Sequence, residues 1–230
     1  MKKNVIITGA NGNLGDAVVK KFLNEDYHVI ATVLHQTDIS AMDAHNELEV
    51  CAIDLSKEAD VAIFIGETLE KHKSIEAALM LAGGFSMGDI EKTSASDLMK
   101  MYSLNFETAY NIIRPLFRHM MEKNYGRLVV VGGQPALDAE AGKNMIAYGL
   151  SKSLLIKLAE YLNAAAKGKN VTTTVIIPST IDTPQNRKSM PAAKFDDWVK
   201  PAQIADLMEV ICSEKGTPIR EGIIKVYGNS

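Results

Sequence analysis

Short, continuously apolar runs alternate with longer stretches of helical spacing along the whole chain. NVIIT, HVIATVL, LEVCAID, AALM, RLVVVGG, VTTTVIIP and GIIKVYG are too short for helices and apolar at successive positions, as strands buried on both faces require. Between them, Asn13–Asn24 sets Leu14, Val18, Phe22 and Leu23 on one side of a helix. Further helical patterns cover Ala59–Lys71, Ser96–Lys123, Asn144–Ala166 and Ala202–Ser213. Pro115 lies inside Ser96–Lys123; it lacks an N–H and predicts a kink or a break there. No repeat, low-complexity segment or long linker interrupts the alternation. Such a chain folds as a single doubly wound parallel α/β sheet, the Rossmann fold, with helices on both faces, one domain over residues 1–230. Its ligands bind beyond the carboxyl ends of the strands.

Composition narrows the partners. The chain has 230 residues, 47% of them hydrophobic, enough for one buried core. A net charge of −3 without a basic stripe argues against nucleic acid, and no apolar run is long enough to span a membrane. MKKNVIITGA has the lysines of a signal peptide, but its apolar run is short and meets glycine at once, so it reads as a first strand. Cys51 and Cys212 form no disulfide framework and fit a reducing cytoplasm. The five histidines do not cluster in sequence with cysteines or carboxylates at metal-ligand spacing, so no metal is expected.

The candidate chemistry begins at VIITGANGNLG, where Gly9, Gly12 and Gly15 join the first strand to the first helix. Glycine permits the tight turn and the close approach of a pyrophosphate, and the helix start at Asn13 and Leu14 offers free N–H groups. An ordinary turn with a helix cap is the alternative; position after an apolar strand favours a dinucleotide. The residues that end the second strand, Val33, Leu34 and His35, carry neither the acid of NAD sites nor the base of NADP sites, so NAD or NADP both remain open. His35 reads as a loop histidine or a phosphate contact. Asp54, with Leu55, follows the third strand and can accept from an adenine amino group or serve a turn.

Tyr148 and Lys152, four residues apart, point from one helix face into one cleft. An ammonium beside a phenol stabilises phenolate and lowers its pKa, which suits Tyr148 as a general acid or base. The serine that such a pair usually works with belongs shortly before the tyrosine, and that ground holds Gln134 and Pro135. Farther along the helix, Leu154, Leu155, Ile156, Leu158, Ala159 and Leu162 cover nearly the whole circumference. One face packs on the sheet; the other calls for a second subunit or for burial within the chain.

TGANGNLG, Asp54, LAGG (Leu81 to Gly84), Asn105 in SLNF, YGLSK and PSTIDTP together resemble the short-chain dehydrogenase/reductase family over essentially the full chain. The resemblance implies that Ala82, Gly83 and Gly84 support the cofactor crevice and that Asn105 orders a water relay to Lys152. It also puts Thr183, with Pro178 and Ile181, at the nicotinamide amide. Ser179 stands where the family usually has glycine. From Gly132 to Trp198, and above all in IDTPQNRKSMPAAKFDDW, the chain is similar to the quinonoid dihydropteridine reductases, which also lack the serine. Asn105 is a feature of the general family more than of that group.

That likeness implies a small-molecule substrate, first a quinonoid dihydropterin, whose electron-poor ring needs a proton donor more than a polarising hydroxyl. A general carbonyl or quinone reductase, with Gln134 in place of the serine, is the alternative, and a non-catalytic NAD(P) sensor is a third reading. IDTPQNRKSMP reads either as a flap over the substrate or as an ordered surface loop. In the flap reading Asn186 and Arg187 meet polar ring edges and Trp198 anchors the segment. A homodimer or homotetramer through the two long helices completes the expectation.

Overall fold

The computed structural model describes residues 2–229. In chain order the strands are β1 (Asn4–Thr8), β2 (His28–Val33), β3 (Leu48–Ala52), β4 (Ala77–Met80), β5 (Tyr125–Val131), β6 (Asn170–Pro178) and β7 (Ile223–Val226). The helices are α1 (Asn13–Asn24), α2 (Gln36–Ile39), α3 (Glu58–His72), α4 (Ala95–Tyr102), α5 (Thr108–Lys123), α6 (Ala139–Gly142), α7 (Ile146–Ala165), α8 (Pro184–Ser189) and α9 (Pro201–Cys212). The strands form one sheet in the order β3-β2-β1-β4-β5-β6-β7, and all its pairings are parallel. The doubly wound fold read from the sequence is therefore present.

Successive strand residues serve opposite faces, which is why the central runs carry apolar residues for both. Ile6, Ile30, Ala78, Leu128, Val130 and Val175 face one core with Val61 and Ile65 of α3, Ile112 and Leu116 of α5, and Leu155 and Ala159 of α7. Val5, Ile7, Val29, Leu79, Val129 and Ile176 face the other, with Val18 and Phe22 of α1 and Ile204 and Met208 of α9. The chain runs outward through β2 and β3, then returns to place β4 beside β1. That reversal opens a crevice at the carboxyl ends of β1 and β4.

The long helical region differs from expectation in one respect. Pro115 lies inside α5, which continues unbroken to Lys123. Its neighbours Ile112, Ile113 and Leu116 are fully buried, so packing holds the helix across the missing N–H. The irregularity falls upstream instead, in a π-helical turn over Ser103–Glu107 that contains Asn105. There the Thr108 hydroxyl donates to the Leu104 carbonyl at 2.8 Å. On α7, Leu155, Ile156 and Ala159 are buried within the chain, while Leu150, Leu154 and Tyr161 are exposed.

Candidate active site

The site starts with Thr8 and Gly9 at the end of β1. Gly9 has φ 63°, and a Cβ there would lie 2.9 Å from the Ala82 backbone. The positive φ and the close approach both require glycine. A Cβ on Gly15 would stand 2.1 Å from the Gly9 carbonyl oxygen, so α1 can begin this close only without one. Gly12 caps α1 and has no side chain to accept from the first turn, leaving the N–H groups at Asn13, Leu14 and Gly15 for an anion. The turn after β4 is tied to this floor: the Thr8 hydroxyl accepts from the N–H groups of Leu81 at 2.9 Å and Ala82 at 3.1 Å. A pyrophosphate cradle of this kind fits a dinucleotide.

At the crevice rim, Asp54 accepts from both the backbone N–H and the hydroxyl of Ser56, at 3.0 and 2.6 Å, closing the turn into Leu55. The turn reading is thus realised, and Asp54 remains partly exposed. His35 is exposed and opens α2, its N–H donating to Asp38 at 3.3 Å.

The catalytic candidates converge where α7 crosses the ends of β4 and β5. Asn105, 1% exposed, is turned inward by the π-helical turn. Its carbonyl oxygen accepts from the Gly84 N–H at 2.9 Å, and its amide donates to the Ser151 hydroxyl at 3.0 Å. Ser151 in turn donates to the Tyr148 carbonyl at 2.8 Å. Lys152, 7% exposed, donates to the Val131 carbonyl at 2.8 Å. A Cβ on Gly83 would meet both the Asn105 oxygen, at 2.5 Å, and the Lys152 ammonium, at 3.5 Å, so the two groups flank one point. Gly133 does the same for the phenol: a Cβ there would lie 2.6 Å from the Tyr148 hydroxyl.

Burial sets the electrostatics. Desolvation pushes the Tyr148 phenol up to about 12 and pulls Lys152 down to about 8. The expected lowering of the phenol by the ammonium is therefore not realised. The Lys152 ammonium is directed at Val131 and lies 5.9 Å from the phenol ring centre, so burial outweighs attraction. Tyr148 is a proton-bearing acid at neutral pH.

Gln134 opens a 3₁₀ turn with Pro135 and Ala136 beside Gly133. No serine or threonine lies between Gly132 and Ala147, so this flank offers the phenol no hydroxyl partner. Pro178 ends β6, and Thr183 caps α8 by accepting from Asn186 at 3.1 Å. The base of the following segment is clamped by a bridge between Ile181 and Val199. Asn186 donates to the Ile181 carbonyl at 2.8 Å, and Arg187 makes a two-pronged pair with Asp182 at 2.6 and 2.8 Å. Both side chains thus brace their own segment. Arg187 also stacks on Phe195, which meets the buried Trp198 ring at 4.9 Å.

Three contributors escaped the sequence reading. Thr8 and Ser151 sit inside quoted motifs, yet their hydrogen bonds depend on β4 and on the π turn. Phe85, 61% exposed, packs edge-to-face on Tyr148 at 5.1 Å. An aromatic directly after LAGG was its only signal.

The profile of the family described as short chain dehydrogenase matches residues 3–194. The chain is 29% identical over 232 residues to a dihydropteridine reductase of Dictyostelium discoideum, covering 98% of this chain and 94% of that one. It is 23% identical over 240 residues to the 3-oxoacyl-acyl-carrier-protein reductase FabG of Buchnera aphidicola (subspecies Acyrthosiphon pisum, strain APS), covering 99% and 96%. Among solved structures, ElxO with NADP bound superposes with a TM-score of 0.92 at 21% identity, covering 99% of this chain and 98% of that one.

Proposed function

The chain belongs to the short-chain dehydrogenase family and is an oxidoreductase of that type; from that premise we propose that it reduces a quinonoid dihydropterin with NADH or NADPH. The observation that carries the substrate reading is the missing hydroxyl before Tyr148. Carbonyl reduction gains from a second donor that polarises the oxygen, whereas an electron-poor quinonoid ring accepts hydride readily and needs chiefly a proton. The likeness to a dihydropteridine reductase over nearly the full chain supports the same reading. So does Phe85, whose exposed ring beside Tyr148 suits a planar heterocycle.

In this reading Gly9, Gly12, Asn13, Leu14 and Gly15 hold the pyrophosphate, and Asp54 and Leu55 meet the adenine. Ala82, Gly83 and Gly84 line the ribose, and Pro178, Ile181 and Thr183 hold the nicotinamide end. Bound there, the nicotinamide supplies hydride. Tyr148 gives its phenolic proton to the substrate. Lys152 keeps a positive charge beneath the phenol as that proton leaves, and holds the ribose. Asn105, fixed by Gly84 and Ser151, orders the path by which Tyr148 is reprotonated. Asn186 and Arg187 keep the flap in shape and meet the ring edge when it closes.

We further propose a homodimer or homotetramer that covers the exposed Leu150, Leu154 and Tyr161 of α7 together with Tyr110 of α5. A cytoplasmic location fits the two free cysteines. Among the described residues no helix is long and apolar enough to cross a membrane. A carbonyl or quinone reductase is the second reading, favoured by the position of Gln134 beside Gly133, which faces the Tyr148 hydroxyl. The test is kcat/KM for freshly generated quinonoid dihydropterin against a ketone and a quinone panel, with NADH and NADPH in parallel. A clear preference for the pterin supports the reading; a preference for ketones or quinones overturns it.

A further inference from the structure

The sequence offers no metal-ligand spacing, yet the fold assembles one at the opposite end of the sheet. His28 opens β2, Glu49 lies in β3 and His72 ends α3. The parallel register sets Ile30 against Glu49, so His28 and Glu49 share the face that α3 covers. Each of the three side chains offers a ligand atom, and these atoms lie within 4.8 Å of one another. One Glu49 oxygen stands 3.0 Å from His28 Nε2 and 3.4 Å from His72 Nε2. A tetrahedral zinc with bonds of about 2.0–2.1 Å spaces its ligand atoms by roughly 3.3 Å, so two of the three edges already have the required length.

The surroundings are also those of a metal site. Glu47 meets Nδ1 of His28 at 3.1 Å, the carboxylate contact that fixes the ring and sharpens Nε2 as a ligand. Lys71 holds the second oxygen of Glu49 at 2.7 Å, leaving the first for the ion. Lys2 pairs with Glu47 at 3.1 Å, so each carboxylate keeps one ammonium partner. With an ion on Nε2, the His28 ring can still donate to Glu47 through Nδ1. The side chains of His28, Glu49 and His72 are 17%, 30% and 12% exposed, open enough for entry and for a water as fourth ligand.

We propose that His28, Glu49 and His72 bind one divalent late transition ion of the zinc class, clamping edge strand β3 to β2 and to the end of α3. Two imidazoles and one carboxylate favour zinc, cobalt or nickel over magnesium or calcium. The site lies at the amino ends of the strands, away from Tyr148, and the clamp is structural.

The test uses the full chain without a histidine tag, stripped by chelator and titrated with CoCl₂ and then ZnCl₂. One equivalent of cobalt at micromolar concentration should give the visible absorption of a tetrahedral site, and zinc should abolish it. His72→Gln and Glu49→Gln should each weaken binding more than tenfold, and Glu47→Gln by about tenfold, as loss of an orienting carboxylate does. His119→Gln should change nothing. In the unaltered protein, zinc should shift the imidazole proton resonances of His28 and His72 and leave those of His119. Absence of saturable binding, unchanged affinity in folded His72→Gln, or a zinc shift at His119 overturns the proposal.

Discussion

The two ends of the same sheet handle charge in opposite ways. At the amino end, Lys2, His28, Glu47, Glu49, Lys71 and His72 form a partly exposed network in which every charge has a partner. At the carboxyl end, Lys152 is buried, makes no ion pair among the described residues and rests on one backbone carbonyl. Tyr148 meets Phe85 through its ring, while Asn105 is tied to Gly84 and Ser151. A network like the first is inexpensive and adds little to stability. A buried lone ammonium is costly, and folds keep such groups where chemistry needs them. The contrast supports the proposal that the carboxyl end is the working end of the sheet.

The largest break in the comparison is Gly15→Ala. Its methyl would collide with the Gly9 carbonyl, so destabilisation at the upper end of about 1–3 kcal/mol is expected, with loss of dinucleotide binding. Denaturant unfolding and a cofactor titration check both. Next comes Lys152→Met. The lysine titrates near 8 when folded against 10.5 unfolded, so below about pH 8 both states carry the proton and the burial cost is full. Between these values the unfolded chain binds more protons, and stability rises with pH. Relief of about 3 kcal/mol, less about 1 for the unpaired Val131 carbonyl, makes the variant about 2 kcal/mol more stable at pH 7. That gain should shrink steadily above pH 8, while activity is lost. Unfolding curves at pH 7 and 10 read the difference. The smallest effect is Glu49→Gln in chelator, where loss of partly exposed pairs should cost less than about 1 kcal/mol. A larger loss would mean that the amino-end network is not the cheap surface feature its exposure indicates.

The sheet was legible because its strands carry short runs of apolar residues that serve both faces, and α1 because its apolar residues keep one side. The glycine turn and the Tyr148–Lys152 spacing are local patterns, so they too could be read directly. What escaped depends on contacts between distant segments. Thr8 bonds to Leu81 and Ala82 only because β4 lies beside β1. The π turn carries no marker in SLNFE, and Pro115, which looked like the break, is held by its buried neighbours. Burial also reversed the expected direction of the phenol shift, since spacing along a helix does not report solvent access. The histidine cluster depends on the β2–β3 register and on where α3 ends.

The central claim is that Tyr148 is the proton donor at the carboxyl edge. Single-turnover oxidation of NADH or NADPH by quinonoid dihydropterin, compared between the unaltered protein and Tyr148→Phe with cofactor affinity measured in both, tests it directly. A fall in rate of about 10²–10⁴ with unchanged cofactor affinity is the expected result. A Tyr148→Phe rate equal to that of the unaltered protein would contradict the account.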